Sequence, residues 1–130
     1  MKNNILKFIK YVYYLSLITL FTLYLFPGSL IGYLLYGNLS EQPNLIDNPI
    51  GTSINHLFYF VYLSVLGLIY RSQNQKITNS FQFLFFISIL LELLHFFIPN
   101  RAFEFYDLLA NSVGVVFVYL FINFFINKKE

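Results

Sequence analysis

The sequence predicts an all-α fold, a polytopic four-helix bundle embedded in a membrane. Of its 130 residues, 58% are hydrophobic and only 11% are charged, too few to cover a soluble domain of this size with polar surface. Long apolar segments recur along the chain, and none shows the alternation typical of a strand. Because lipid offers no hydrogen-bonding partners to the backbone, such segments must be helices. We expect one domain covering residues 1–130.

The first apolar segment begins at about position 11 and is interrupted by Pro27 and Gly28. Two interpretations are open. Either one helix over 11–36 is kinked at this pair, or a helix over 11–26 is followed by a separate interfacial or re-entrant piece. A cleaved signal peptide is disfavoured, because no A-x-A-like site follows the apolar run.

The other three helices are expected over residues 54–70, 81–98 and 108–126. At a rise of about 1.5 Å per residue, each is long enough to cross or nearly cross a hydrocarbon core of about 30 Å. The last two are joined by a short connection, so they must be antiparallel neighbours.

Basic residues fall on one side of this predicted topology, with Arg101 as the exception. The others are Lys2, Lys7, Lys10, Arg71, Lys76, Lys128 and Lys129. By the positive-inside rule, both termini are cytoplasmic, and the loops 37–53 and 99–107 face outward. No basic cluster is large enough to suggest a nucleic-acid partner.

The third predicted helix carries polar residues inside an apolar run. Glu92 lies within the predicted outer leaflet, and Ser88 and His95 share its helical face at spacings of four and three residues. A carboxylate in lipid costs a few kcal/mol or more, so Glu92 is expected to face the bundle interior and find a partner there. Two states are open: ionised and paired with Arg101 or with a protonated His95 or His56, or neutral because of burial.

The fourth predicted helix has a matching polar stripe. Asp107, Asn111 and Gly114 follow the i, i+4, i+7 pattern from the same outer side. His56 begins the second helix on that side, and Arg101 lies in the loop between the third and fourth. We therefore expect one polar pocket that opens outward. Each residue also has a structural interpretation: Asp107 as a helix cap and Gly114 as a point of close helix contact, for example.

Two segments resemble the VanZ-like family of small bacterial membrane proteins. The first is ELLHFFIPNRAFEFYDLLANSVG, and the second is HLFYFVYLSVLG, which begins at His56. The matching positions in the first segment are Glu92, Pro99, Arg101, Asp107, Asn111 and Gly114. The similarity spans roughly residues 52–119. Two positions depart from the family pattern: His95 stands where glutamine is usual, and Thr52-Ser53 where an Asp-Lys pair is usual.

The resemblance implies a multi-pass protein of the bacterial cytoplasmic (inner) membrane, linked to reduced sensitivity to glycopeptide antibiotics such as teicoplanin. It implies no settled reaction. The candidate acid/base or hydrogen-bonding groups are Glu92, His95 and Asp107, and the candidate ligand-binding groups are Arg101, Asn111 and His56. The expected partner is a membrane lipid or a lipid-linked envelope precursor. The alternative is a non-enzymatic scaffold or partner-binding protein whose polar cluster only holds the helices together.

Metal and cofactor chemistry is not predicted from the sequence. Glu92 and His95 have the Glu-x-x-His spacing of carboxylate metal sites, but those sites draw such pairs from more than one helix, and this chain has one pair. His56 and Asp107 are the only further ligands the pattern offers. Without cysteine there is no thiolate ligand and no cysteine nucleophile. No serine has the strained turn of a hydrolase nucleophile.

Overall fold

The computed structural model describes residues 2–43, 51–71 and 77–126. These residues form five helices and no strand, so the all-α prediction is confirmed. The helices are α1 (Lys2–Leu25), α2 (Leu30–Tyr36), α3 (Gly51–Arg71), α4 (Ile77–Leu94) and α5 (Phe105–Ile126).

Three of these helices are long and apolar enough to cross a membrane. The spans are Asn4–Leu25 in α1, Gly51–Tyr70 in α3 and Phe105–Phe125 in α5. The apolar part of α4, Ser80–Leu94, is shorter. Large hydrophobic side chains such as Phe117 are exposed around the outside of the helices, as expected of surfaces that meet lipid.

The chain breaks at Pro27-Gly28 rather than bending there. α1 ends at Leu25, and Gly28 takes a φ of 93°, a conformation that favours glycine. Ser29 then caps α2, because its side chain accepts a hydrogen bond from the Gly32 amide. The structure therefore has a helix end followed by a separate short helix, not one kinked helix over 11–36.

α4 ends four residues earlier than the sequence pattern predicts, at Leu94 instead of position 98. From His95 to Phe97 the backbone amides bond three residues back, as when His95 donates to the Glu92 carbonyl at 3.1 Å. Pro99 follows, and it cannot donate a helical bond. The other long helices begin earlier than predicted, at positions 2, 51 and 105 instead of 11, 54 and 108.

α3 lies against α1, α4 and α5, and its contact with α5 is the most extensive. Gly114 on α5 explains the close approach: a Cβ there would lie 2.8 Å from the Leu57 carbonyl oxygen of α3. Two tyrosines of α3 bond to α1. The Tyr59 hydroxyl donates a hydrogen bond to the Ser16 carbonyl, and the Tyr62 hydroxyl lies 3.0 Å from the Ser16 hydroxyl. The fully buried core includes Tyr13, Leu20, Phe60, Leu63, Leu84, Leu91 and Val115.

Candidate functional site

Buried polar side chains gather at one end of the molecule, where α1 and α4 end and α3 and α5 begin. This end lies opposite Lys7 and Lys10, which are near the start of α1. We call the group the polar cluster and define it by its residues: Tyr24, Ser53, His56, Glu92, His95, Asp107 and Asn111. His56 is half-buried, and the other members are buried.

Glu92 is completely buried near the C-terminal end of α4. Its Oε1 lies 3.2 Å from His95 Nδ1 and accepts a hydrogen bond of 3.1 Å from the Glu104 backbone amide. That amide precedes α5, where helix geometry leaves amides without an intrahelical partner. The other carboxylate oxygen, Oε2, is buried and has no hydrogen-bond partner among the residues that the structure describes. Glu92 thus ties two helix ends together and keeps one oxygen uncommitted.

Tyr24 links three helices through one hydroxyl group. It donates to Asn111 Oδ1 on α5 at 2.8 Å and lies 2.6 Å from His56 Nδ1 on α3. Its ring also stacks on the His95 ring, with centroids 5.3 Å apart. The Asn111 amide nitrogen is buried, and no group in the described part of the chain bonds to it. The position of His56 and Asn111 therefore depends on a tyrosine from α1.

Asp107 lies in the first turn of α5 and is buried. Its Oδ1 accepts a hydrogen bond from the Ser53 hydroxyl at 2.5 Å, and its Oδ2 is 3.5 Å from His56 Nε2. Because Ser53 donates to the carboxylate and not to the imidazole, these residues do not form a Ser-His-Asp nucleophile.

Arg101 is half-buried in the loop between α4 and α5, and it bonds to α1. Its Nε and Nη2 donate to the carbonyls of Phe26 and Leu23, which the end of α1 leaves without helical partners. Among the described residues it makes no ion pair with Glu92, so the pairing considered from the sequence is not the one observed. Burial lowers the pKa of Arg101, yet a guanidinium remains charged at neutral pH.

Negative charge is concentrated around this loop. The pKa of Glu104, which is exposed just before α5, is raised by partial desolvation and by the nearby carboxylates of Asp107 and Glu92. The guanidinium of Arg101 is the cation of the same loop.

A cavity of about 130 Å³ adjoins the cluster between α1, α2 and α3. Its polar wall includes Tyr24, His56, His95 and Arg101. Its apolar wall comes from α1 and α2 and consists of Leu20, Leu23, Leu30 and Ile31. The cavity is therefore amphiphilic, with a cationic and hydrogen-bonding side facing an aliphatic side.

The candidate residues from the sequence come together at this end of the structure. Glu92, His95 and Asp107 lie in the cluster with His56 and Asn111, and Arg101 borders the adjoining cavity. Two other residues on the predicted stripes have packing roles. The Ser88 hydroxyl donates to the Phe85 carbonyl of its own helix, and Gly114 lies against the backbone of α3.

Sequence reasoning missed two members of the cluster. Tyr24 is one of 11 tyrosines and lies in an apolar helix, so nothing in the local pattern distinguishes it. Ser53 drew attention in the sequence only because Thr52-Ser53 stands where the VanZ-like family usually has an Asp-Lys pair. Its place at the start of α3, three residues before His56, is the signal that could have identified it as a partner of the α5 terminus.

No family model, curated protein or solved structure matches this chain.

Proposed function

We propose that this protein is a VanZ-like integral protein of the bacterial cytoplasmic membrane that binds or modifies a lipid-linked component of the cell envelope. The observation that carries the proposal is the amphiphilic cavity beside the buried polar cluster. A lipid with an anionic head group presents the same two chemistries, one charged and one aliphatic, to a protein surface.

The membrane arrangement we propose has four spans, α1, α3, α4 and α5. α4 has 18 residues, and about 27 Å of helix nearly crosses a hydrocarbon core of about 30 Å. With Lys7 and Lys10 in the cytoplasm, the cluster lies near the outer face, and both termini are cytoplasmic. A ligand would then reach the cavity from the outer leaflet.

Each candidate residue has a role in this proposal. Arg101 faces the cavity and has guanidinium N–H groups beyond the two that bond to α1, so it contacts a phosphate or another anionic head group. His56 and His95 border the cavity and supply hydrogen bonds or proton transfer, supported by Asp107 and Glu92. Asn111 orients Tyr24. An effect on glycopeptide sensitivity would follow from capture of an envelope precursor.

A second candidate function is a non-enzymatic scaffold or partner-binding protein. The observation that favours it is that much of the cluster is bonded internally: Ser53 to Asp107, Tyr24 to Asn111, and Glu92 to the Glu104 amide. Such bonds hold α1, α3, α4 and α5 together without any ligand. In this case the cluster would contribute stability, and the loops would contact the partner.

The variant Glu92→Gln distinguishes the two functions, because it keeps the size of the side chain and removes the charge. A binding or catalytic role predicts normal expression and an unchanged melting temperature in detergent, with loss of the glycopeptide tolerance that the protein confers on a suitable host. Glu104→Gln, an exposed carboxylate of the same loop, is the matched control and should behave like wild type. A large fall in melting temperature for Glu92→Gln alone would instead favour the scaffold.

A further inference from the structure

Three side chains of the cluster, each from a different helix, bring potential metal ligands together. They are His56 from α3, Glu92 from α4 and Asp107 from α5. One ligand atom of each residue lies within 4.8 Å of those of the other two. His95 contacts Glu92 Oε1, as its spacing suggested, and the two further ligands that the sequence offered, His56 and Asp107, lie close to Glu92 as well.

The hydrogen bonds of His56 determine which of its nitrogens is available. The single Tyr24 hydroxyl proton is donated to Asn111 Oδ1, which can only accept. At the 2.6 Å contact with His56, the donor must then be Nδ1–H and the acceptor the Tyr24 oxygen. A neutral imidazole with its proton on Nδ1 has its lone pair on Nε2. Tyr24 thus acts as the outer group that orients a ligand histidine.

The Nε2 lone pair of neutral His56 faces an atom that cannot donate to it. Asp107 Oδ2 lies 3.5 Å away, while Asp107 Oδ1 is held by the Ser53 hydroxyl. Two acceptors that face each other repel unless a proton or a metal ion lies between them. Two ligands with bonds of about 2.1 Å to one tetrahedral ion are about 3.4 Å apart, which is close to the observed separation.

Glu92, like Asp107, has one carboxylate oxygen that accepts hydrogen bonds and, within the described residues, one that does not. Its Oε1 is held by His95 and by the Glu104 amide, and its Oε2 is fully buried without a partner. Among the described residues no donor reaches this oxygen, and an unbonded buried carboxylate oxygen is costly unless a proton or a metal ion neutralises it. Ligand atoms that lie within 4.8 Å of one another would have to move to about 3.4 Å apart to share one tetrahedral ion.

The charge of the cluster also favours a bound cation. Glu92 and Asp107 are both buried, and Arg101, the nearby guanidinium, directs two of its N–H groups to α1 carbonyls. A divalent ion would offset two carboxylates at once.

We propose that His56, Glu92 and Asp107 form a binding site for a divalent transition-metal ion, with Zn²⁺ as the ion that best suits one imidazole and two carboxylates. Three protein ligands leave a coordination position for water or for an anionic ligand. His56 borders the cavity, so one of the three ligands lies next to it. The proposal stands without the lipid ligand, since it depends on the ligand geometry alone.

The test is metal analysis of the full-length protein, purified with a tag that contains no histidine and then incubated with Zn²⁺ and washed. Wild type is expected to retain about one Zn²⁺ per chain, and the ion should raise its melting temperature. Glu92→Gln and Asp107→Asn should each weaken Zn²⁺ binding at least about tenfold, a cost of about 1.4 kcal/mol. Glu104→Gln removes a nearby carboxylate outside the proposed ligand set and should bind like wild type.

Wild type that retains no Zn²⁺, or a Glu104→Gln variant that loses as much as Glu92→Gln, would overturn the proposal. Should the ligand variants fail to fold, X-ray absorption of the Zn²⁺-loaded wild type decides the matter. One imidazole with oxygen donors at about 2.0–2.1 Å supports the site, and a shell without imidazole contradicts it. Because this test involves no lipid, a negative result would not contradict the proposal that the cavity binds an envelope component.

Discussion

Glu92 is the central residue of the polar cluster, and the sequence alone shows why: a carboxylate within an apolar helix has a high free-energy cost. A buried acid in an apolar helix needs partners, which predicts that other polar residues lie close to it. His95 and the backbone before Asp107 do so in the structure. The partners themselves were less predictable. The sequence offered Arg101, His95 or His56 as the counter-ion, and His95 is the one that contacts Glu92 Oε1. The Arg101 guanidinium instead donates to carbonyls at the end of α1, which no local sequence pattern predicts.

Tyr24 shows why the rest of the cluster could not be found from the sequence. A tyrosine in an apolar helix is common in a chain whose composition is 22% aromatic. Its role comes from the packing of α1 against α3 and α5, which brings its hydroxyl to both His56 and Asn111. Such contacts between distant segments depend on the tertiary structure.

Replacing Tyr24 with phenylalanine should therefore destabilise the protein. The change leaves His56 Nδ1 and Asn111 Oδ1 without their partner, and a lost buried hydrogen bond costs about 1 kcal/mol, with membrane interiors at the lower end of the range. Thermal unfolding in detergent measures the effect. Tyr11→Phe, at an exposed position of the same helix, is the control. Equal melting temperatures for the two variants would show that the Tyr24 hydroxyl contributes nothing to the cluster.

At the scale of the helices, the sequence predicted which segments are helical better than where they end. Apolar length locates a helix, but its ends depend on capping and on contacts beyond the apolar run. α4 illustrates this: the apolar pattern continues to position 98, but the backbone tightens after Leu94 ahead of Pro99. The sequence did not decide between a kink and a helix end at Pro27-Gly28, because a proline followed by a glycine is typical of both.

The close packing of α5 on α3 at Gly114 can be tested by mutation. In Gly114→Ala the new Cβ would lie 2.8 Å from the Leu57 carbonyl oxygen, a backbone atom that cannot move freely. Overpacking costs about 1–3 kcal/mol, which exceeds the gain of up to about 1 kcal/mol in helix propensity. The melting temperature should fall. Val113→Ala, at an exposed neighbouring position, should change it little. A Gly114→Ala variant that melts at or above the wild-type temperature would contradict the close packing of α3 on α5.

For the whole molecule, the central question is on which side of the membrane the cluster lies. The chain has no cysteine, so single cysteines report topology without background. In intact cells, Ser40→Cys, in an exposed loop at the cluster end, should react with an impermeant thiol reagent. Asn4→Cys, exposed near the start of α1, should react only after the membrane is permeabilised. Labelling of Asn4→Cys in intact cells, with Ser40→Cys protected, would reverse the proposed orientation.

The amphiphilic cavity could not have been predicted in shape, because α2 forms one of its walls and its course was left open by the sequence. Of the polar wall, His56, His95 and Arg101 were expected from the sequence, whereas Tyr24 was not. The part of the apolar wall that α2 supplies, Leu30 and Ile31, was therefore not expected.

The most direct test of the central claim, that this cavity holds a lipid-linked ligand, is binding of a polyprenyl phosphate to the full-length protein by native mass spectrometry. Leu30→Trp fills the cavity without removing a polar group, and Leu34→Trp adds the same side chain at an exposed position of the same helix. We expect Leu30→Trp to bind at least about tenfold more weakly than wild type and Leu34→Trp to bind normally. Equal binding by all three proteins, or none by wild type, would contradict the account.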